Sequence, residues 1–254
     1  GGALGPRVVR GPCALAAWLD RWESRVRLVG ERLGYPQAWL QEFCTYRGDS
    51  RMTLEEFWVR YTLLRMEMAP RFAAVKTESD ARAFYTDSEY MLWRNLVHRR
   101  HSAWRRVLWT MRGRQGGLLE IGCGIAPVSA WVAPRKPGWR FWLHDVKDSP
   151  HLRYAQWRLR GREWTMGRHR VKVVTLLDVL EHLVDPLATV HHALSELAPG
   201  GYLHWNAVRH EQAHELNLAA PSSLAAAVRH LTETLALVWE GEDGHRVSRN
   251  VAGD

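Results

Sequence analysis

The chain has 254 residues, 46% of them hydrophobic, enough for one sizeable core with an appended subdomain. Its net charge of +8 comes from 31 arginines against 4 lysines, a skew that fits a GC-rich gene better than a nucleic-acid ligand. No apolar run reaches the roughly 18 residues of a membrane span, and the start reads as neither signal nor transit peptide, so no membrane partner is expected. Cys13, Cys44 and Cys123 lack the spacing of a metal site or a disulfide framework, so a reducing, cytoplasmic setting is the expectation. Most of the 14 tryptophans read as packing residues.

Residues 1–112 read as helical. Over Pro12–Gly30, Leu15, Trp18, Leu19, Trp22, Val26 and Leu28 recur with helical spacing. Thr53-Leu-Glu-Glu56 reads as a capping box ahead of a face formed by Phe57, Trp58, Tyr61, Leu64 and Met68. Thr86-Asp-Ser-Glu89 reads as a second box. It predicts one long helix in which Trp93, Val97, Trp104, Leu108 and Met111 share a face. Arg94, Arg99, Arg100, Arg105 and Arg106 crowd that helix and read as a solvated surface, with an anionic or RNA surface as the alternative. Tyr85 and Tyr90 are candidate substrate-pocket residues, and helix packing explains either equally well.

Gly113-Arg-Gln-Gly-Gly117 reads as a hinge. Beyond it the pattern predicts strand 117–121, helix 127–133, strand 139–144, helix 149–160, strand 171–177, helix 186–198 and strand 201–206. A helix near 221–230 and strands at about 233–239 and 245–251 finish the chain. Strands alternating with helices predict a parallel sheet.

Three segments carry the chemistry. Gly-Leu-Leu-Glu-Ile-Gly-Cys-Gly-Ile-Ala, over 117–126, is an apolar run ending in Glu120 and then a glycine turn. There Gly122 and Gly124 let the backbone pass close to a nucleotide at a helix start. Phe141-Trp-Leu-His-Asp145 closes on a carboxylate 21 residues after Gly124, suited to ribose hydroxyls. Asp178-Val-Leu-Glu181-His182-Leu is followed by Asp185-Pro186 and by Leu197-Ala-Pro-Gly-Gly201.

Together these segments resemble the class I S-adenosylmethionine-dependent methyltransferases, over about residues 113–240. The resemblance implies an α/β fold with a Rossmann-like sheet. It places an all-helical N-terminal subdomain at 1–112, as lid or interaction region, and the cofactor-binding domain at 113–254. It implies S-adenosyl-L-methionine as cofactor, S-adenosyl-L-homocysteine as product, and Glu120, Gly122, Gly124, Asp145 and Asp178 as cofactor-binding residues. The third glycine of the family pattern is Ala126 here. The segment from Arg209 to Leu224, with His214, Asn217 and Pro221, looks like one found after the fifth strand of small-molecule methyltransferases. His214 and His182 are therefore the candidate bases, acting as neutral imidazoles on an acceptor proton.

The expected acceptor is a small molecule or a peptide, methylated at oxygen or nitrogen, with no metal; a homodimer stays open. Glu181, His182, His210 and His214 also resemble the metal-binding set of small-RNA 2′-O-methyltransferases. Asp178 stands where that set has Glu, which disfavours this alternative. A cofactor-binding protein without transfer activity is the third reading.

One departure bears on the fold. Only 32 residues separate Asp145 from Asp178. A third parallel strand at 163–166 would require a return crossing of roughly 14 Å over three strand spacings and roughly 15 Å along a strand. Residues 167–170 reach at most roughly 17 Å. The sheet is therefore expected to lack its regular third strand.

Overall fold

The computed structural model describes residues 37–49, 51–97, 101–113, 115–161, 170–207, 218–241 and 244–252. The chain divides into two compact units, Gly1–Leu63 and Leu64–Asp254. The helix expected over Pro12–Gly30 lies outside the described residues. In the first unit, α1 (Gln37–Arg47) sets Phe43 edge-on to Phe57 of α2 (Leu54–Ala74), with ring centroids 6.2 Å apart. The box before Phe57 forms: Thr53 N donates to Glu56 Oε2 at 2.7 Å, and Glu56 N donates to Thr53 Oγ1 at 3.2 Å.

The second unit contains the rest of α2, then α3 (Glu78–Asp87), α4 (Glu89–Val97) and α5 (His101–Thr110). Helix α3 opens on a capping box that the sequence reading passed over. Asp80 N donates to Thr77 Oγ1 at 3.1 Å, and Thr77 N donates to Asp80 Oδ2 at 2.9 Å. The box expected at Thr86–Glu89 does not form. Thr86 lies in the last turn of α3, so its hydroxyl donates back to the Arg82 and Ala83 carbonyls, each at 3.1 Å. Ser88 Oγ instead accepts from Tyr90 N at 3.1 Å and opens α4. The single long helix expected from 89 onward is described as two pieces, α4 and α5; residues 98–100 lie outside the described residues.

The sheet follows: β1 (Gly116–Ile121), α6 (Pro127–Val132), β2 (Trp139–His144), α7 (Pro150–Arg158), β3 (Val171–Leu176), α8 (Pro186–Glu196), β4 (Leu197–Trp205), α9 (Pro221–Thr234), β5 (Ala236–Glu240) and β6 (Arg246–Arg249). Six strands run in the order β2-β1-β3-β4-β6-β5. β1 pairs in parallel with β2 and β3, and β3 with β4, while β6 is antiparallel to β4 and β5. Among the described residues no strand lies beyond β2; residues 163–166, on which the reach argument turns, are outside the described set.

Side chains alternate across each strand, so neighbouring residues enter opposite cores. Leu119, Val174 and Leu203 join Val190 of α8 and Leu224 and Leu231 of α9. Leu118, Val173 and Phe141 join Val107 of α5, Val132 of α6 and Ala155 of α7. Helices on both faces of a mainly parallel sheet make a Rossmann-like layer architecture. Two glycines at the start of β1 leave room for tryptophans of β2. A Cβ at Gly116 would stand 2.8 Å from the Trp139 ring, and one at Gly117 2.5 Å from the Trp142 ring.

Strand β4 starts earlier than the expected residue 201. Leu197 already pairs with Val171, and the next pair is Val173 with Tyr202. The intervening Ala198–Gly201 segment bulges out, with Gly200 at φ 69°. Helix α9 runs on to Thr234, which pushes β5 to Ala236. No helix among the described residues is long and apolar enough to cross a membrane.

One buried polar chain crosses the α5 side of the sheet. His204 Nε2 lies 2.8 Å from Thr110 Oγ1, and His204 Nδ1 lies 3.2 Å from His245 Nε2. Burial, then His245 and Arg106, holds the His204 imidazole well below its usual range. The folded value lies under the unfolded one, so the fold favours the neutral ring. The associated stability is present above about pH 6.5 and is lost as pH falls below it, by up to about 1.4 kcal/mol per pH unit. Urea unfolding of wild type and His204→Gln between pH 7.5 and 5.5 checks this: the variant is expected to lose less stability over that interval. An equal loss in both would exclude His204 as the source.

Candidate active site

The carboxyl ends of β1, β2, β3 and β4 gather Glu120, the glycine turn, Asp145, Asp178 and Asn206. The chain leaves β1 for β2 on one side and reaches β3 on the other, so these ends flank a topological switch point, where open α/β sheets bind ligands.

The turn after β1 is pinned to the end of β2: Gly122 N and Cys123 N donate to His144 O at 2.8 and 3.2 Å. Gly122 (φ 63°) and Gly124 (φ 52°) are both left-handed. Ala126 takes the same conformation at φ 51°, unfavourable for a residue with a Cβ. A Cβ at Gly122 would fall inside the Val179 isopropyl group, so this glycine makes room for the loop after β3. A Cβ at Gly124 would stand 2.9 Å from Asn95 Nδ2, which places α4 directly over the turn. Arg158 at the end of α7 donates to Ile125 O at 2.8 Å and fixes the turn from another side.

Glu120 points at the start of α6. Its Oε2 accepts from Ser129 N at 2.9 Å and Ser129 Oγ at 2.5 Å, and its Oε1 accepts from Val128 N at 3.2 Å. Burial pushes this carboxyl up to about 7, against the pull of the Ser129 and Val128 bonds and of Arg158. In this structure Glu120 joins strand to helix.

Asp145 is almost enclosed, its side chain 9% exposed. Oδ2 accepts from Gly124 N at 2.6 Å; Oδ1 accepts from Val146 N at 2.7 Å and from His151 Nε2 at 2.9 Å. Burial alone would raise this carboxyl, but His151 and the two backbone N–H groups outweigh it and hold it below the usual carboxylate range. Asp145 is therefore a carboxylate at neutral pH.

Asp178 (φ 57°) is clamped by Asn206 at the end of β4. Asp178 N donates to Asn206 Oδ1 at 2.6 Å, and Asn206 Nδ2 donates to Asp178 Oδ1 at 2.7 Å. Next comes a one-turn 3-10 segment, Leu180–His182, with Glu181 fully buried and His182 half-buried. The Glu181 carbonyl accepts from Ala219 N at 3.2 Å, which ties this loop to the entry of α9. His210, His214 and Asn217 lie outside the described residues. Tyr85 sits edge-on to His151, with ring centroids 6.0 Å apart, while Tyr90 is buried edge-on to Phe72 at 5.6 Å.

Sequence reasoning passed over three residues here: Asn95, His151 and Asn206. Asn206 ends an apolar strand, a signal open to the same logic that found Asp145. His151 follows the Ser149-Pro150 helix start, and Asn95 carries no local signal at all.

Residues 93–236 match the model of a family described as a methyltransferase domain. The chain belongs to this family and is a class I S-adenosylmethionine-dependent methyltransferase. An O-methyltransferase family protein from Burkholderia thailandensis shares its fold, at 15% identity and a TM-score of 0.54, over 81% of this chain and 75% of that one. Magnesium protoporphyrin IX methyltransferase from Synechocystis, solved with bound S-adenosylmethionine, is similar at 16% identity and TM-score 0.47, over 70% and 97% of the two chains. A 1,6-didemethyltoxoflavin-N1-methyltransferase from Burkholderia thailandensis is similar at 16% identity and TM-score 0.44, over 75% and 89%. The two lower-scoring likenesses carry no weight for fold or function. Comparison with curated protein sequences returned no match.

The residues present fit S-adenosylmethionine: an ionised acid at the end of β2 stands against a left-handed glycine turn that follows β1.

Proposed function

We propose that the protein transfers the methyl group of S-adenosylmethionine to an oxygen or nitrogen of a small-molecule or peptide acceptor. The observation that carries this reading is the helical cover: Asn95 of α4 lies on Gly124, and Tyr85 of α3 lies on His151. A turn roofed in this way suits a compact acceptor better than a folded RNA. Helices α3–α5, within residues 1–112, would act as lid, and residues 113–254 as the cofactor-binding domain. Buried, free Cys44 and Cys123 support a reducing, cytoplasmic setting.

When bound, the cofactor supplies an electrophilic methyl group on a sulfonium that is already a good leaving group. The protein's part is to orient the partners and exclude water. Asp145 would hold the ribose, and Gly122 and Gly124 would let the backbone pass close to the ligand. Glu120 would keep α6 seated against that turn. Asp178, fixed by Asn206, would face the methionine end and the acceptor. His182 or His214 would take the acceptor proton where the acceptor is a hydroxyl or an ammonium.

Transfer of a labelled methyl group to panels of phenols, carboxylic acids, amines, peptides and RNA, with and without a chelator, tests the proposal. Transfer to small acceptors or peptides that survives chelation, and that falls as pH drops through the imidazole range, is expected. Transfer confined to RNA and abolished by chelation would overturn it. Binding of S-adenosylhomocysteine with no transfer to any panel would point to a protein that only binds the cofactor.

A further inference from the structure

We propose that His151 is a positioning residue for the cofactor ribose, holding the Asp145 carboxylate in the orientation that leaves Oδ2 an open acceptor position beside Gly124. This inference rests on the reading of Asp145 as the ribose acid.

A carboxylate oxygen accepts about two hydrogen bonds. Oδ1 has both: Val146 N at 2.7 Å and His151 Nε2 at 2.9 Å. Oδ2 has one strong bond, from Gly124 N at 2.6 Å; the buried Cys123 thiol, a weak donor, also lies against the carboxylate. With Oδ1 held from two directions, the carboxylate plane cannot turn, and the remaining acceptor position falls on the oxygen that touches the glycine turn. That is the side a ligand lying along the turn would reach. Without His151, Oδ1 keeps only the N–H of its own neighbour, and the carboxylate can rotate about its side-chain bonds.

The chemistry of the ring agrees. An ionised carboxylate only accepts, so Nε2 must carry the proton it donates. Ser149 Oγ, 3.0 Å from the same Nε2, steadies the ring and also accepts from Leu152 N at 3.3 Å, so the start of α7 sets where the imidazole stands. The His151 side chain is 2% exposed, and Nδ1 finds no hydrogen-bond partner among the described residues. An apolar side chain would fill this space beside Tyr85 without burying an unpartnered nitrogen. The imidazole is therefore explained by what Nε2 does to Asp145, and not by packing.

The test uses the two amides that separate the ring nitrogens. In His151→Gln the amide reaches the position of Nε2; in His151→Asn it reaches only that of Nδ1. Both are polar, so neither is expected to leave the full chain unfolded, and circular dichroism checks this. S-Adenosylhomocysteine and its 2′,3′-dideoxy analogue are titrated calorimetrically into wild type, both variants and Asp145→Ala. His151→Asn is expected to bind S-adenosylhomocysteine about tenfold more weakly than wild type, with His151→Gln restored to within about threefold. The dideoxy analogue should bind wild type and His151→Asn alike, because the hydroxyls that Asp145 reads are gone. Equal weakening of both ligands by His151→Asn would reduce His151 to a structural residue and overturn the proposal. So would wild-type affinity in both His151 variants while Asp145→Ala binds weakly. Wild-type affinity in Asp145→Ala would instead remove the ribose assignment on which the proposal stands.

Discussion

Gly122→Ala is expected to cost the fold about 2–5 kcal/mol, from a left-handed backbone that disfavours a Cβ and from overpacking against a buried side chain. The glycine sits at φ 63°, and the added methyl would land inside Val179, which is itself 7% exposed. The two contributions separate in a double-mutant cycle. Val179→Ala should recover the overpacking part of the loss in Gly122→Ala and leave the backbone part in place. Urea unfolding of the four proteins reads this out. Additive losses from the two single changes would mean that the contact across the two loops carries no energy, and that the glycine serves backbone conformation alone.

Asp145→Ala is expected to weaken S-adenosylhomocysteine binding roughly 10- to 100-fold, the range for losing charge-assisted bonds worth about 1.5–3 kcal/mol. The change does more than remove a ligand contact. It also strips the acceptor from Gly124 N, Val146 N and His151 Nε2. Part of the effect will therefore appear as a lower melting temperature in the absence of ligand, and the binding loss should exceed what that shift explains. Unchanged affinity by calorimetric titration would dismiss Asp145 as the ribose acid.

Strand and helix identity was legible wherever local pattern and tertiary context agreed. Strand 139–144 and the helix after Pro127 were readable because a period-two apolar run and a proline at the helix start act locally. The position of Thr86 was misread because the same Thr-x-x-Glu spacing occurs at the end of one helix as easily as at the start of another. Nothing within four residues says which. The start of β4 was misread for a different reason. Pro199 and Gly200 look like a loop, yet Leu197 pairs across the bulge with Val171, a contact that sequence spacing cannot show.

The site divides in the same way. Glu120, Asp145 and Asp178 stand out as acids closing apolar runs. That Glu120 turns to the start of α6 depends on where Ser129 comes to lie, and a strand-end acid alone does not reveal it. Asn206, His151 and Asn95 act through partners 28, 6 and 29 residues away in the chain, on Asp178, Asp145 and Gly124. Only the last has no counterpart in any local motif, since a helix residue over a glycine turn is a product of packing alone.

The polar chain through His204 also has a kinetic consequence. Thr110 and His204 are 94 residues apart in sequence, and His204 and His245 are 41 apart. Loop-closure entropy makes such contacts costly until the parallel strands between them are paired, so they belong late on the folding path. Interactions absent from the folding transition state act on the escape rate from the native state and leave the rate of reaching it nearly unchanged. The three groups thus work as a latch on residence time: trimming the Thr110 hydroxyl should steepen loss of the folded form on dilution into denaturant, while refolding proceeds at the speed of the intact chain.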